Sequence, residues 1–217
     1  MARRKAAKAP EIAPPHDQRE AQRFTLILRA GKLVTAQGEF LCILRDVSSG
    51  GLKVRLFHAL DLSAPCQIEL AGGERYDLAP AWQDGAHAGL RFAGGPVDIP
   101  KLLEEAGPFP KRSIRIHLPR PLPAVLHAGG LAFDAALHDI SQHGAALACT
   151  ECLPVGQLAE ICADQLGTIK ARVRWRRGTR FGLVFQQSFR LDELARLTAR
   201  LQGLAAISPE PAEVAAC

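Results

Sequence analysis

Apolar and polar residues alternate along several short stretches of this chain. In KARVRW, Lys170, Arg172 and Arg174 alternate with Ala171, Val173 and Trp175, the two-residue period of a strand with one buried face. RRGTR then supplies a turn and FGLVF returns, which predicts a hairpin. GGLKVRLF and HGAALAC read as further strands, each leaving a turn that contains glycine. Short strands at close spacing, broken by Gly and Pro, predict a small antiparallel barrel or sandwich. Two stretches carry a helical pattern instead. VDIPKLLEEAG offers Asp98 as N-cap, Pro100 in the first turn and Gly107 as a stop. RLDELARLTARLQG sets Leu194, Leu197, Leu201 and Leu204 on one face. That face either covers the open end of its own barrel or forms a seam between two copies, which leaves a homodimer open.

The strand pattern occurs twice. RDVSSGG holds Asp46, Ser48 and Gly51, and HDISQHGA holds Asp139, Ser141 and Gly144 at the same spacing. Trp82 follows Asp46 by 36 positions, and Trp175 follows Asp139 by 36. Seven residues beyond each Trp stands a Gly (Gly89, Gly182), and three beyond that a Phe (Phe92, Phe185). Upstream, Arg23 precedes Asp46 by 23 residues and Arg115 precedes Asp139 by 24. A fixed offset of 92–93 residues marks a duplicated unit, so the 217 residues divide into two small domains. The boundaries are a basic, Pro-rich flexible arm at 1–18, a first domain at 19–107, a second at 108–205 and a flexible tail at 206–217.

Charge changes the picture less than its total suggests. The formal charge is +5, but Arg3, Arg4, Lys5 and Lys8 supply four positive charges at the tip, which leaves +1 for the rest. A near-neutral body does not imply a nucleic-acid polymer as partner. The basic start is followed by no apolar core of signal-peptide length, and no stretch is apolar for long enough to span a membrane. The six cysteines are scattered through apolar segments. Together these features predict a cytoplasmic protein with reduced thiols.

With these residues in view, the chain resembles a tandem of two PilZ domains, the bacterial receptors for cyclic di-GMP (cyclic diguanylate). The family's signature is an RxxxR element ahead of the first strand and a D/NxSxxG element about two dozen residues later. The first unit has both: Arg19 and Arg23, then Asp46, Ser48 and Gly51. The Trp…Gly…Phe hairpin of each unit is also similar to the family's closing strands. The resemblance implies an all-β fold with short helices: two tandem six-stranded antiparallel β-barrels, each followed by an α-helix. It implies a receptor that is not an enzyme, with cyclic di-GMP as ligand, no cofactor and a protein effector as partner. Motility, exopolysaccharide or virulence control are the processes it points to. The second unit departs from the signature. Asp139, Ser141 and Gly144 are present and Arg115 matches the second arginine, but Lys111 holds the place of the first, with Arg112 one position out of step. Ligand binding is therefore expected at Arg19, Arg23, Asp46, Ser48 and Gly51, and a weaker second site would comprise Lys111, Arg112, Arg115, Asp139, Ser141 and Gly144.

These residue types suit that ligand. Arginine keeps its charge, forks onto phosphate or onto guanine O6 and N7, and stacks flat on a base, whereas lysine is a point charge without the planar fork. An aspartate accepts from the guanine N–H edge, serine adds a short polar contact, and a glycine lets backbone and ligand approach closely. The resemblance further implies that the arginine segment is mobile when empty and folds over bound ligand. A ligand-free adaptor, docking a protein through a basic stripe (Lys170, Arg172, Arg174, Arg176, Arg177, Arg180) or through the leucine helix, is the alternative. That stripe reads first as the solvated face of a strand. Cys149 and Cys152 form a CxxC, but no second pair has metal-ligand spacing, so they read as buried apolar cysteines. No nucleophile–base set and no phosphate-cradling GxxxxGK[ST] loop is present.

Overall fold

The computed structural model describes residues 24–103 and 113–204. Two closed antiparallel six-stranded barrels follow one another, each with a helix after it. In the first, β1 (Phe24–Thr35), β2 (Gly38–Ser48), β3 (Gly51–Leu56), β4 (Cys66–Glu69), β5 (Arg75–Asp84) and β6 (His87–Phe92) close in the order β1-β2-β3-β6-β5-β4, and α1 (Ile99–Leu103) follows. The second repeats this order with β7 (Ile116–Ala128), β8 (Leu131–Ile140), β9 (Gly144–Cys149), β10 (Leu158–Ala163), β11 (Gly167–Arg177) and β12 (Arg180–Phe185), followed by α2 (Leu191–Leu201). Closure leaves no sheet edge to template another chain.

Alternation fills each barrel. In β3, Leu52, Val54 and Leu56 point inward between outward Lys53 and Arg55. In β11, Ala171 and Val173 are buried between exposed Lys170 and Arg172, but Trp175 is not inside. The register shifts between Val173 and Trp175, with Arg174 as the extra residue. A bulge of this kind reverses the inside–outside parity of every residue after it. The expected inward Trp175 therefore lies on the outer surface, paired with Gly182.

The helices begin as the pattern predicts. The Asp98 carboxylate accepts from the Lys101 amide at 3.3 Å, while the expected stop at Gly107 lies outside the described residues. Leu194 and Leu197 of α2 enter the second barrel's core with Leu201 against it, yet Ala199 and Leu204 pack on the first barrel's core. The leucine face thus covers its own barrel only in part. Its last turn reaches the neighbour, where the Gln202 side chain accepts from the Glu39 amide at 3.1 Å and donates to the Glu39 carbonyl at 2.8 Å.

The junction has an apolar part and a polar part. Leu41 and Phe57 of the first barrel belong to the apolar cluster of the second. Beside them, the Glu39 carboxylate accepts from the His117 amide at 2.8 Å and meets His117 Nδ1 at 3.0 Å. Burial alone would raise the Glu39 pKa, but the His117 amide and the Lys32 ammonium hold it below the ordinary carboxylate value.

Cysteine positions depart from expectation at one point. Cys149 is buried at the end of β9, whereas Cys152 is exposed, because it lies in the loop beyond that strand. Its sulfur accepts from the Arg176 guanidinium. Among the described residues no His, Cys, Asp and Glu side chains cluster as a metal site, and no described helix is long and apolar enough to cross a membrane.

Candidate functional site

Both D-x-S-x-x-G corners are built by the same backbone device. The β2–β3 register shifts between Leu44 and Asp46, and the β8–β9 register shifts between Leu137 and Asp139. One extra residue, Arg45 or His138, reverses parity just ahead of the aspartate. Asp46 and Asp139 are thereby turned to the outer surface, while Val47 and Ile140 remain in the cores.

The serine and glycine close the turn. Ser48 Oγ donates to the Gly51 carbonyl at 3.2 Å, and Ser141 Oγ donates to the Gly144 carbonyl at 3.0 Å. A Cβ on Gly51 would collide with the Leu90 carbonyl oxygen of β6, and one on Gly144 with the Leu183 carbonyl oxygen of β12. The close approach these glycines permit is that of the neighbouring strand. A second pair of glycines, Gly89 and Gly182, lies beneath the indoles of Trp82 and Trp175, with no room for a Cβ. This explains the repeated Trp-to-Gly spacing: across each hairpin the two residues are partners, and the indole lies flat over the bare glycine.

The corners differ in what surrounds them. At the first, Asp46, Ser48 and Gly51 line a pocket of about 190 Å3 with Lys53, Trp82 and Arg91. The Lys53 ammonium stands 5.8 Å from the centre of the Trp82 ring, a cation–π arrangement. Arg19 and Arg23, expected here, lie outside the described residues. At the second corner Ala146 takes the place of Lys53, pairing with Gly182 as Lys53 pairs with Gly89. The surface opens there into a groove of about 870 Å3 that holds Asp139, Ser141, Gly144 and Trp175. Arg115 Nη1 lies 2.5 Å from Asp139 Oδ1, so the structure joins these two predicted residues directly. Lys111 and Arg112 lie outside the described residues.

Sequence reasoning missed much of this groove. Arg174, Arg177 and Arg180 line it, and the Arg177 guanidinium is 5.9 Å from the Trp175 ring centre. The basic stripe is therefore not one solvated face. Lys170 pairs with Glu160 at 3.8 Å and Arg172 donates to the Gly156 carbonyl at 2.7 Å, while Arg174, Arg177 and Arg180 turn toward the groove and Arg176 donates to Cys152 and the Gly178 carbonyl. The bulge that breaks the alternation carries no sequence signal of its own, but the Trp placed across a hairpin from Gly was a usable one. The facing wall comes from the first barrel, at Glu69–Gly73 in and after β4. With basic, aromatic and acceptor groups around one opening, the groove can receive an anion that also offers a flat ring.

Residues 110–203 match the family model of the PilZ domain; the second barrel is a PilZ domain. A comparison with curated sequences finds no relative. Among solved structures, the chain is similar to the PlzA protein of Borreliella burgdorferi in complex with c-di-GMP, at 13% identity and TM-score 0.36, covering 79% of this chain and 87% of that one. It is also similar to the inhibitor of motility of Bacillus subtilis, at 12% identity and TM-score 0.35, covering 82% and 98%. The complex of YcgR with c-di-GMP from Escherichia coli gives 16% identity and TM-score 0.30, covering 77% and 80%.

Proposed function

We propose that this protein, whose second barrel is a PilZ domain, is a non-enzymatic cytoplasmic receptor for cyclic diguanylate that passes occupancy to a protein partner. The observation that carries the reading is the outward aspartate beside an exposed indole, repeated in both barrels by the same bulges. The ligand's guanine rings match the acceptor and the flat face, and its two phosphates match the arginines.

The first corner is the proposed receptor site on its residues: Arg19 and Arg23 with Asp46, Ser48 and Gly51. A second seat is favoured by the groove of the second barrel. Arg115 is already engaged with Asp139, and the cation beside Trp175 is the Arg177 guanidinium, which can fork onto phosphate, where Trp82 has the Lys53 ammonium. Guanine would stack on the indole, Asp139 would accept from its N–H edge, and Arg174, Arg177 and Arg180 would meet phosphate.

Calorimetric titration of cyclic diguanylate into wild type, Arg23→Ala and Arg115→Ala tests both seats. Loss in Arg23→Ala alone assigns the ligand to the first corner, and loss in Arg115→Ala alone assigns it to the groove. Loss in either describes a shared or double site. Wild-type protein that takes up no ligand refutes the receptor reading and leaves a ligand-free adaptor.

A further inference from the structure

Lys32 is fully buried at the junction of the barrels. Its ammonium has three protons and three acceptors, each at 3.1 Å: Glu39 Oε2, Glu69 Oε1 and the carbonyl of Arg115. The two carboxylates belong to its own barrel. The third acceptor belongs to the other barrel, on the residue whose guanidinium holds Asp139 at the groove. Two residues further on, the His117 amide donates to Glu39. The chain entering β7 is thus pinned to the first barrel at two nearby points, one of them ahead of the strand's first residue, Ile116.

A buried ion cluster is a weak source of stability, because desolvation offsets most of the attraction. Its more distinctive effect here is geometric. Arg115 precedes the paired part of β7, so the second barrel's own ladder does not hold its carbonyl. The Lys32 ammonium does.

We propose that Lys32 is a positioning residue for the groove of the second barrel: by holding the Arg115 carbonyl it fixes where the Arg115 guanidinium meets a phosphate-bearing ligand. The first barrel thereby contributes to the affinity of the second. The inference rests on the reading of that groove as a seat for cyclic diguanylate.

The test is a double-mutant cycle on the full chain, titrating cyclic diguanylate into wild type, Lys32→Met, Arg115→Ala and the double variant, well below every melting midpoint. One charge-assisted hydrogen bond acting through the arginine predicts about a tenfold loss of affinity in Lys32→Met. Arg115→Ala loses at least as much, and the double variant loses no more than Arg115→Ala, since the two residues act through one contact. Gln202→Ala is the matched control: it loosens the junction without touching Arg115 and should lower the melting temperature while leaving affinity unchanged. Should Lys32→Met fail to fold, the cycle is run in a Glu69→Gln background, which removes one of the two carboxylate charges facing Lys32 and leaves the amide with Arg75 as partner. Lys32→Met binding as wild type while Arg115→Ala fails overturns the inference and leaves the receptor reading standing. Losses that add in the double variant, or an equal loss in Gln202→Ala, also overturn it. Wild type without binding sinks the receptor reading, and this inference with it.

Discussion

Replacing His58 with leucine should remove an acid-sensitive weak point of the first barrel. The imidazole is fully buried just after β3, its ring centre is 4.9 Å from that of Phe40, and neither nitrogen has a hydrogen-bond partner among the described residues. Burial pushes its pKa down from the ordinary 6.5 to about 4, because protonation would place a cation among apolar side chains. The unfolded chain takes up a proton under conditions where the native protein does not. With the folded pKa below the unfolded one, this contribution to stability is complete above pH 6.5 and lost as pH falls from 6.5 toward 4. A separation of about 2.5 between the two values amounts to roughly 3 kcal/mol in full, most of it gone by about pH 4.5. Urea denaturation of wild type and His58→Leu at about pH 7.5 and about pH 4.5 measures it as a difference between the two proteins, in which other titrating groups cancel. At the higher pH the leucine variant should match or exceed wild type, since two desolvated nitrogens disappear. Stability lost in parallel by both proteins would refute the reasoning.

Three further outcomes follow from the corners. Gly144→Ala should cost about 1–3 kcal/mol in denaturant titration, because the new Cβ meets a backbone carbonyl of β12 that cannot move aside; Gly94→Ala, with nothing near its Cβ, should stay within about 0.5 kcal/mol of wild type. Ser141→Ala should cost about 1 kcal/mol in the same assay and Ser48→Ala less, since the Ser141 hydroxyl bond is buried and the Ser48 one is only partly so. Trp175→Ala should weaken groove binding of cyclic diguanylate about tenfold or more; in a Trp82→Phe background, quenching of the remaining indole on titration reports the same contact.

The barrels, their matching strand order and the α2 register were legible in the sequence because each rests on periodicity or fixed offset. The alternation of Leu52, Val54 and Leu56 needs no tertiary knowledge to read. What escaped was set by single extra residues. Arg174 continues the polar alternation of KARVRW in the sequence, yet as a bulge it sends Trp175 outward and redirects the following arginines. The junction escaped for a different reason. Lys32 lies in an apolar strand where a lone lysine reads as a surface residue, and its three acceptors are 7, 37 and 83 positions away in the chain. Cys152 was read with Cys149 as buried, but only Cys149 belongs to a strand.

The two barrels share a backbone device, and their side chains make them unequal. Each barrel uses one bulge to expose an aspartate and another to expose a tryptophan, and each seats the indole on a bare glycine. In the first barrel Lys53 stands over that indole, and the motif's arginines come from the segment ahead of β1. In the second, alanine takes the place of that lysine and the Arg177 guanidinium stands near the indole instead, while the motif's arginine is bonded both to its aspartate and, through its carbonyl, to a buried lysine of the neighbouring barrel. A ligand can shift a conformational equilibrium only by binding its two states differently. If the groove seats cyclic diguanylate as proposed, the second corner would meet that condition through its wiring: drawing the Arg115 guanidinium toward phosphate would pull on a backbone carbonyl that Lys32 holds beside Glu39 and Glu69. On that reading, occupancy of the groove would be coupled to the contact between the barrels.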